Sequence, residues 1–241
     1  MADGRMLLAV MIDADNIPAR HAAAIMREIT TYGEAALRRV YGDWSSPSLA
    51  GWKKEAADLG MVLMQETANT KGKNASDIGL VIDAMDILHT NRFGGYVLVS
   101  SDSDFTALAR RLKENGGEVI GIGEEKAPPS LRNACNRFVF LENIIGAEKA
   151  EEASKPSSGQ KDAQRHPPSK VVPMVIKAMR SIDPEGEWYH LGQLGQYIVR
   201  DNPDFDPRTY GSAKLSDLLQ KTGAFEVAKR EGQNVEVRRP D

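Results

Sequence analysis

Residues 6–141 repeat one pattern: a short, nearly continuous apolar run, then a stretch of helical periodicity. The runs are "LLAVMI", "EAALRRVYGDW", "MVLMQE", "YVLVS", "EVIGIG" and "RFVFL". Between them lie "NIPARHAAAIMREITTYG", "SLAGWKKEAADLG", "ASDIGLVIDAMDILH", "DFTALARRLKENGG" and "PPSLRNAC". The helix limits are marked by Pro18 in a first turn and by Gly33 and Gly60 past last turns. Strands that are apolar throughout are buried on both faces, so the pattern predicts an α/β fold, a mostly parallel sheet between two layers of helices. Such sheets bind ligands beyond the carboxyl ends of their strands, where strand order reverses.

Two of those carboxyl ends carry acids. "MLLAVMIDADN" closes on Asp13, Asp15 and Asn16, and "YVLVSSDSDF" closes on Asp102 and Asp104. If the first and fourth strands are neighbours at the switch point, these groups converge. A third acid, Asp77, opens the helix after the loop "ANTKGKNASD", which also carries Lys71 and Lys73. Carboxylates at about 4 Å repel by roughly 1–4 kcal/mol per pair, so a cluster calls for a counter-cation or shifted pKa values. Without His or Cys among them, the all-oxygen set suits Mg²⁺ or Mn²⁺ rather than zinc. Capping of the helix that follows each strand is the plainer role for any one of these acids. Asp83 lies six residues after Asp77, about 240° around the helix, and at best supports the site from behind. Asp86 reads as a surface charge.

Bulk properties leave the partner open. The 241 residues are 41% hydrophobic and 27% charged with a net charge of −3, so no global basic field advertises a nucleic acid. Cys135 is the sole cysteine; it reads as a small buried apolar residue rather than a nucleophile, in a chain compatible with a reducing compartment. The N-terminus lacks a secretory pattern, and no segment reaches the roughly 20 apolar residues of a membrane span. The expectation is a cytoplasmic protein with no membrane partner. Residues 147–169, rich in Lys, Glu, Ser, Gln and Pro, read as a flexible linker between a first domain, 1–146, and a second, 170–241.

The motifs "MIDADN", "KNASDIGLVIDAM" and "VSSDSDF" together resemble the NYN domain in its LabA-like branch, part of the PIN-like nuclease superfamily, over roughly residues 5–145. The resemblance implies a PIN-like three-layer α/β/α fold and metal-dependent ribonuclease activity. It carries Asp13, Asp77, Asp102 and Asp104 over as metal-site acids. Asn16 becomes the amide that contacts substrate or a metal-bound water, and Ser101 a hydroxyl that orients the site. Residues 171–239 resemble an OST-HTH (LOTUS) winged helix: "VVPMVIKAMRSI", "WYHLGQLGQYIVRDNPDF" and "DPRTYGSAKLSDLLQKTGAF" supply helices, and "FEVAKR" and "VEVRR" alternate around "EGQN" as a wing. Lys214, Lys221, Lys229, Arg230, Arg238 and Arg239 would form its RNA face, although residues 170–241 balance 11 basic against 11 acidic side chains. Contact with protein partners is the other role implied.

The leading expectation is a metal-dependent endoribonuclease in which Lys71, Lys73 and Arg132 grip flanking phosphates. A non-catalytic RNA-binding adaptor that retains a metal site is the alternative. A haloacid-dehalogenase-type phosphatase fits "DAD" less well, because Asn16 and an immediate helix follow. Trp44 and Trp52 read either as a stacking platform for bases or as core.

Overall fold

The structure is a computed structural model that describes residues 5–65, 75–153, 166–230 and 234–240. The chain divides into two units, residues 1–154 and 155–241. In the first, six parallel strands run in the order β3-β2-β1-β4-β5-β6: β1 Leu7–Asp13, β2 Glu34–Gly42, β3 Val62–Gln65, β4 Gly95–Val99, β5 Glu118–Gly123 and β6 Arg137–Phe140. The order reverses between β1 and β4, which puts Asp13 beside the residues that follow Val99.

Strand alternation sorts the core into two layers. Leu8, Val10 and Ile12 of β1, with Val97 and Val99 of β4, pack toward α1 (Ala22–Ile29), α2 (Ala50–Asp58) and α6 (Leu141–Ala153). Ala9, Met11, Tyr96 and Leu98 pack toward α3 (Ala75–His89), α4 (Thr106–Glu114) and α5 (Pro129–Ala134). This three-layer arrangement is the PIN-like α/β fold expected from the motifs. Trp52 is fully buried in the α2 layer, and its indole N–H donates to the Ile17 carbonyl at 3.1 Å. It is a core residue that braces the loop after β1, not a base platform. Cys135 is also buried, and burial pushes its thiol up to about 12.

Two elements depart from the expected boundaries. Helix α6 runs to Ala153, seven residues into the stretch read as linker. Leu141 and Ile144 anchor its first turns in the core, and the Ala, Glu and Lys residues behind them are strong helix formers. From His166 the chain is again part of a structured unit, and the Pro168–Val171 turn leads into α7 (Val172–Ile182). The remaining linker positions, 154–165, lie outside the described residues.

The second unit continues with β7 (Tyr189–His190), α8 (Leu191–Asp201), α9 (Leu215–Thr222), β8 (Glu226–Arg230) and β9 (Asn234–Arg238). Its antiparallel sheet runs β7-β9-β8, and the β8–β9 hairpin is the expected wing. Val175, Leu194, Ile198, Leu218, Leu219 and Val237 form its core. The two-residue β7 escaped the sequence because it is too short to show a period. Among the described residues no helix is long and apolar enough to cross a membrane.

Asp83 holds α3 to the sheet: its carboxylate accepts from the Arg39 guanidinium and from the Tyr41 hydroxyl, both on β2. Burial, then the Asp83 charge, keeps Tyr41 protonated far above its ordinary range. Asp83→Ala strands a half-buried guanidinium and a buried phenol, so it is expected to destabilise the first unit by about 2–4 kcal/mol. Urea unfolding with an unchanged slope and a lowered midpoint is the check; an unchanged midpoint refutes the role.

Candidate active site

The site is built where β1 and β4 end side by side. The register pairs Ile12 with Val99, so the next residues, Asp13 and Ser100, are adjacent on the same face. Asp13 is 1% exposed. Its Oδ2 accepts from the Ser100 hydroxyl at 2.9 Å and from the Asn16 amide at 2.6 Å. Its Oδ1 accepts from the backbone N–H groups of Asp15 and Asn16 at 3.1 and 3.3 Å. Four donors fill the acceptor sites of a carboxylate. Burial nonetheless holds the Asp13 carboxyl above its usual range, with those hydrogen bonds pulling the other way.

The second strand end continues the arrangement. The Ser100 hydroxyl accepts from the Asp102 N–H at 3.1 Å, and Asp102 Oδ1 caps the 103–105 turn by accepting from the Asp104 N–H at 2.9 Å. Capping and clustering are therefore roles of one side chain, not alternatives. From α3, Asp77 completes the group: burial first, then the charges of Asp13, Asp102, Asp15 and Asp104, push its carboxyl up to about 6. Five acids thus share one field. Asp15, not carried into the expected set, is tied to α3 by the Ser76 hydroxyl, which donates to its Oδ2 at 3.0 Å.

The supporting residues differ from expectation. The orienting hydroxyl is Ser100, not Ser101. Ser101 is buried, and its Oγ accepts from the Glu124 N–H at 2.9 Å, joining the end of β4 to the loop after β5. Alternation along β4 gives the reason: Tyr96, Leu98 and Ser100 face the α3 layer, and Ser101 has the opposite parity. Gly123 sits against both serines; a Cβ there would lie 2.6 Å from the Ser100 carbonyl oxygen and 3.0 Å from Ser101 Oγ. Arg132 lays its guanidinium over the Phe140 ring, 5.7 Å from the centroid. Lys71 and Lys73 lie outside the described residues.

Among the described residues no three Asp, Glu, His or Cys side chains close into a metal cage. Mg²⁺ does not require one, because it is commonly held by one or two carboxylates and keeps several waters. Asp77 and Asp102 carry hard oxygens of that kind, and Asp77 is raised by burial first and then by the neighbouring charges.

In the second unit the balanced charge is spent pairwise. Arg238 bridges Glu187 at 2.9 Å and Glu226 at 2.7 Å and lies over Trp188. Lys221 donates to the Gly211 carbonyl at 2.8 Å. Of the expected basic face, Lys214, Lys229 and Arg239 stand exposed.

Two outcomes follow for the metal-free protein. Asp77 has a folded pKa above its unfolded value, so its charged form opposes folding, and that penalty builds as pH rises from about 4 to about 6 and is fully present above it. Asp77→Asn is expected to gain about 1–2 kcal/mol at pH 8, after discounting for solvent screening, and nothing at pH 4. Thermal melts of both proteins at the two pH values check it; a gain independent of pH sinks it. Ser100→Ala removes a donor from a buried carboxylate and is expected to lower stability by about 1–3 kcal/mol at pH 7, read by urea unfolding.

Comparison with known proteins agrees with this construction. The family model of the NYN domain matches residues 7–142, and that of the OST-HTH/LOTUS domain matches residues 166–237. No curated protein matches the chain. The crystal structure of a protein of unknown function from Vibrio parahaemolyticus is similar with a TM-score of 0.51 at 18% identity, covering 60% of this chain and 98% of that one. An uncharacterized protein from Nitrosomonas europaea, solved by NMR, is 30% identical and covers 36% of this chain and 91% of its own; its TM-score of 0.26 carries no structural argument. NYN domains are PIN-like nuclease domains, and OST-HTH modules bind RNA. With more than half of its length matched, and the Asp13 and Asp102 strand ends inside the match, the chain belongs to the NYN domain family and carries an OST-HTH/LOTUS domain after it.

Proposed function

We propose that the protein is a metal-dependent endoribonuclease whose second domain holds RNA. The observation that carries the reading is the field at Asp77, raised by burial and by the charges of four neighbouring acids. Arg39, on the neighbouring strand, is committed to Asp83. The phosphatase reading of "DAD" loses its support, because the NYN match takes in Asp13–Asp15.

Asp77 and Asp102 would hold Mg²⁺ or Mn²⁺, with Asp104 and Asp15 at its outer side. Asp13 would join by trading the Asn16 amide donor for the ion. When bound, such an ion activates a water and stabilises charge on the scissile phosphate. The chain's own part is positional. Ser100 fixes Asp13 and, through the Asp102 N–H, the start of the 103–105 turn. Ser76 fixes Asp15 against α3. Asn16, once released, offers an amide to a phosphate oxygen or a water. RNA is the substrate named because an OST-HTH domain accompanies the site.

A second reading, a non-catalytic RNA-binding adaptor, is favoured by one observation: Asp13 is already saturated by protein donors. The two separate cleanly. Full-length protein with labelled single-stranded RNA and Mn²⁺ is expected to cleave, and chelation to stop it. Asp102→Asn keeps the cap, since Asn serves as well as Asp there, and is expected to lower the rate at least about 100-fold, roughly 3 kcal/mol of transition-state stabilisation. RNA binding without cleavage under Mg²⁺ and Mn²⁺ establishes the adaptor instead.

A further inference from the structure

Helices α4 and α5 leave a groove of about 490 Å³ between them. It begins at Thr106, directly after the 103–105 turn that carries Asp104, so it opens beside the acid cluster. From α4 it is lined by Thr106, Arg110, Lys113 and Glu114, and from α5 by Ser130 and Asn133. Positions 106, 110 and 113 share one helix face, and 130 and 133 share another.

The charges in this groove are available. Arg110 is exposed and has no carboxylate partner among the described residues. Glu114, the one acid in the lining, lies 4.0 Å from Arg111, outside the groove. The Lys113 ammonium rests on the Cys135 carbonyl at 3.2 Å, a neutral acceptor that leaves its charge uncompensated. Ser130 and Asn133 are exposed across from these cations. Arg and Lys with Ser and Asn are the side chains that hold phosphodiester oxygens, Arg by a two-pronged donor fork. Arg110 lies about 9 Å along the chain axis from Asp104, and Lys113 about 13 Å, at 1.5 Å per residue.

The geometry points to this groove as a phosphate track: the RNA strand leaving the acid cluster lays its backbone between α4 and α5. Arg110 and Lys113 take successive phosphates, and Ser130 and Asn133 bond to their oxygens. Glu114 repels the strand at the far end and so limits the track. Arg110 and Lys113 thereby add to the phosphate grip that the sequence suggested for Lys71, Lys73 and Arg132. The inference deepens the nuclease reading and rests on it for the path of the strand.

Cys135 is the sole cysteine and is buried, so Ser130→Cys, or Asn133→Cys as a second placement, introduces the one accessible thiol. In full-length protein carrying Asp102→Asn, the alkylation rate of that thiol is measured with and without a mixed-sequence single-stranded RNA oligonucleotide. RNA at ten times its dissociation constant is expected to slow alkylation about tenfold. Arg110→Ala with Lys113→Ala is expected to restore the rate and to lower the salt slope of RNA binding by about 1–2. Arg111→Ala, outside the groove, is expected to leave protection intact. No protection at saturating RNA overturns the track, as does protection by inorganic phosphate but not RNA, or loss of protection in Arg111→Ala equal to that in Arg110→Ala. The labelling needs no cleavage. Protection with no cleavage by the protein that retains Asp102 sinks the nuclease reading alone, and cleavage by that protein without protection sinks the track alone.

Discussion

A carboxylate buried at the end of the central strand sets the terms for the rest of the first unit. Asp13 is nearly without solvent, and a bare charge there would be prohibitive. It is tolerable because four donors reach it, and their origins dictate the architecture. Ser100 requires β4 to lie beside β1 in parallel register. The backbone N–H groups of Asp15 and Asn16 require the chain to turn at once after Asp13. That turn is braced from below by the Trp52 indole on the Ile17 carbonyl. The strand order reversal, the loop and the α2 core thus converge on one side chain.

The same burial makes the neighbouring acids expensive. Asp77 enters the field of four carboxylates from α3 and shows the strain as a carboxyl raised to about 6. Its position at a helix start offsets part of this through the helix dipole. Arg39 lies on the neighbouring strand, yet it is turned to Asp83, six residues farther along α3. On the nuclease reading, the negative field at Asp77 is what a site that recruits a divalent ion from solution requires.

Most of this frame was legible in the sequence, because apolar runs ending in acids encode both the strands and their carboxyl edge. What was missed has identifiable causes. Choosing Ser101 over Ser100 ignored the alternation that already placed Leu98 and Asp13 on one side of the sheet. Asp15 was visible in "DAD", but its partner Ser76 comes from a different helix, and tertiary pairing leaves no local signal. The helix through Ala153 was read as linker because composition measures what a segment can bury, not whether a buried first turn propagates through good helix formers. Asp83 was set aside from the site correctly by helix periodicity alone.

A cluster of five acids is a poor place to bind a polyanion. With a chain charge of −3, the attraction for RNA cannot come from a diffuse field and must come from separate local surfaces. On the nuclease reading, the exposed Lys214, Lys229 and Arg239 of the second unit, outside the ion pairs that consume Arg238 and Arg208, would contribute to one such surface. The Arg110–Lys113 face of α4 is another, within the first unit and next to the acids. On the nuclease reading, chemistry and affinity then reside in surfaces of opposite sign, and tethering on one chain raises the local concentration of substrate at a site that would otherwise repel it.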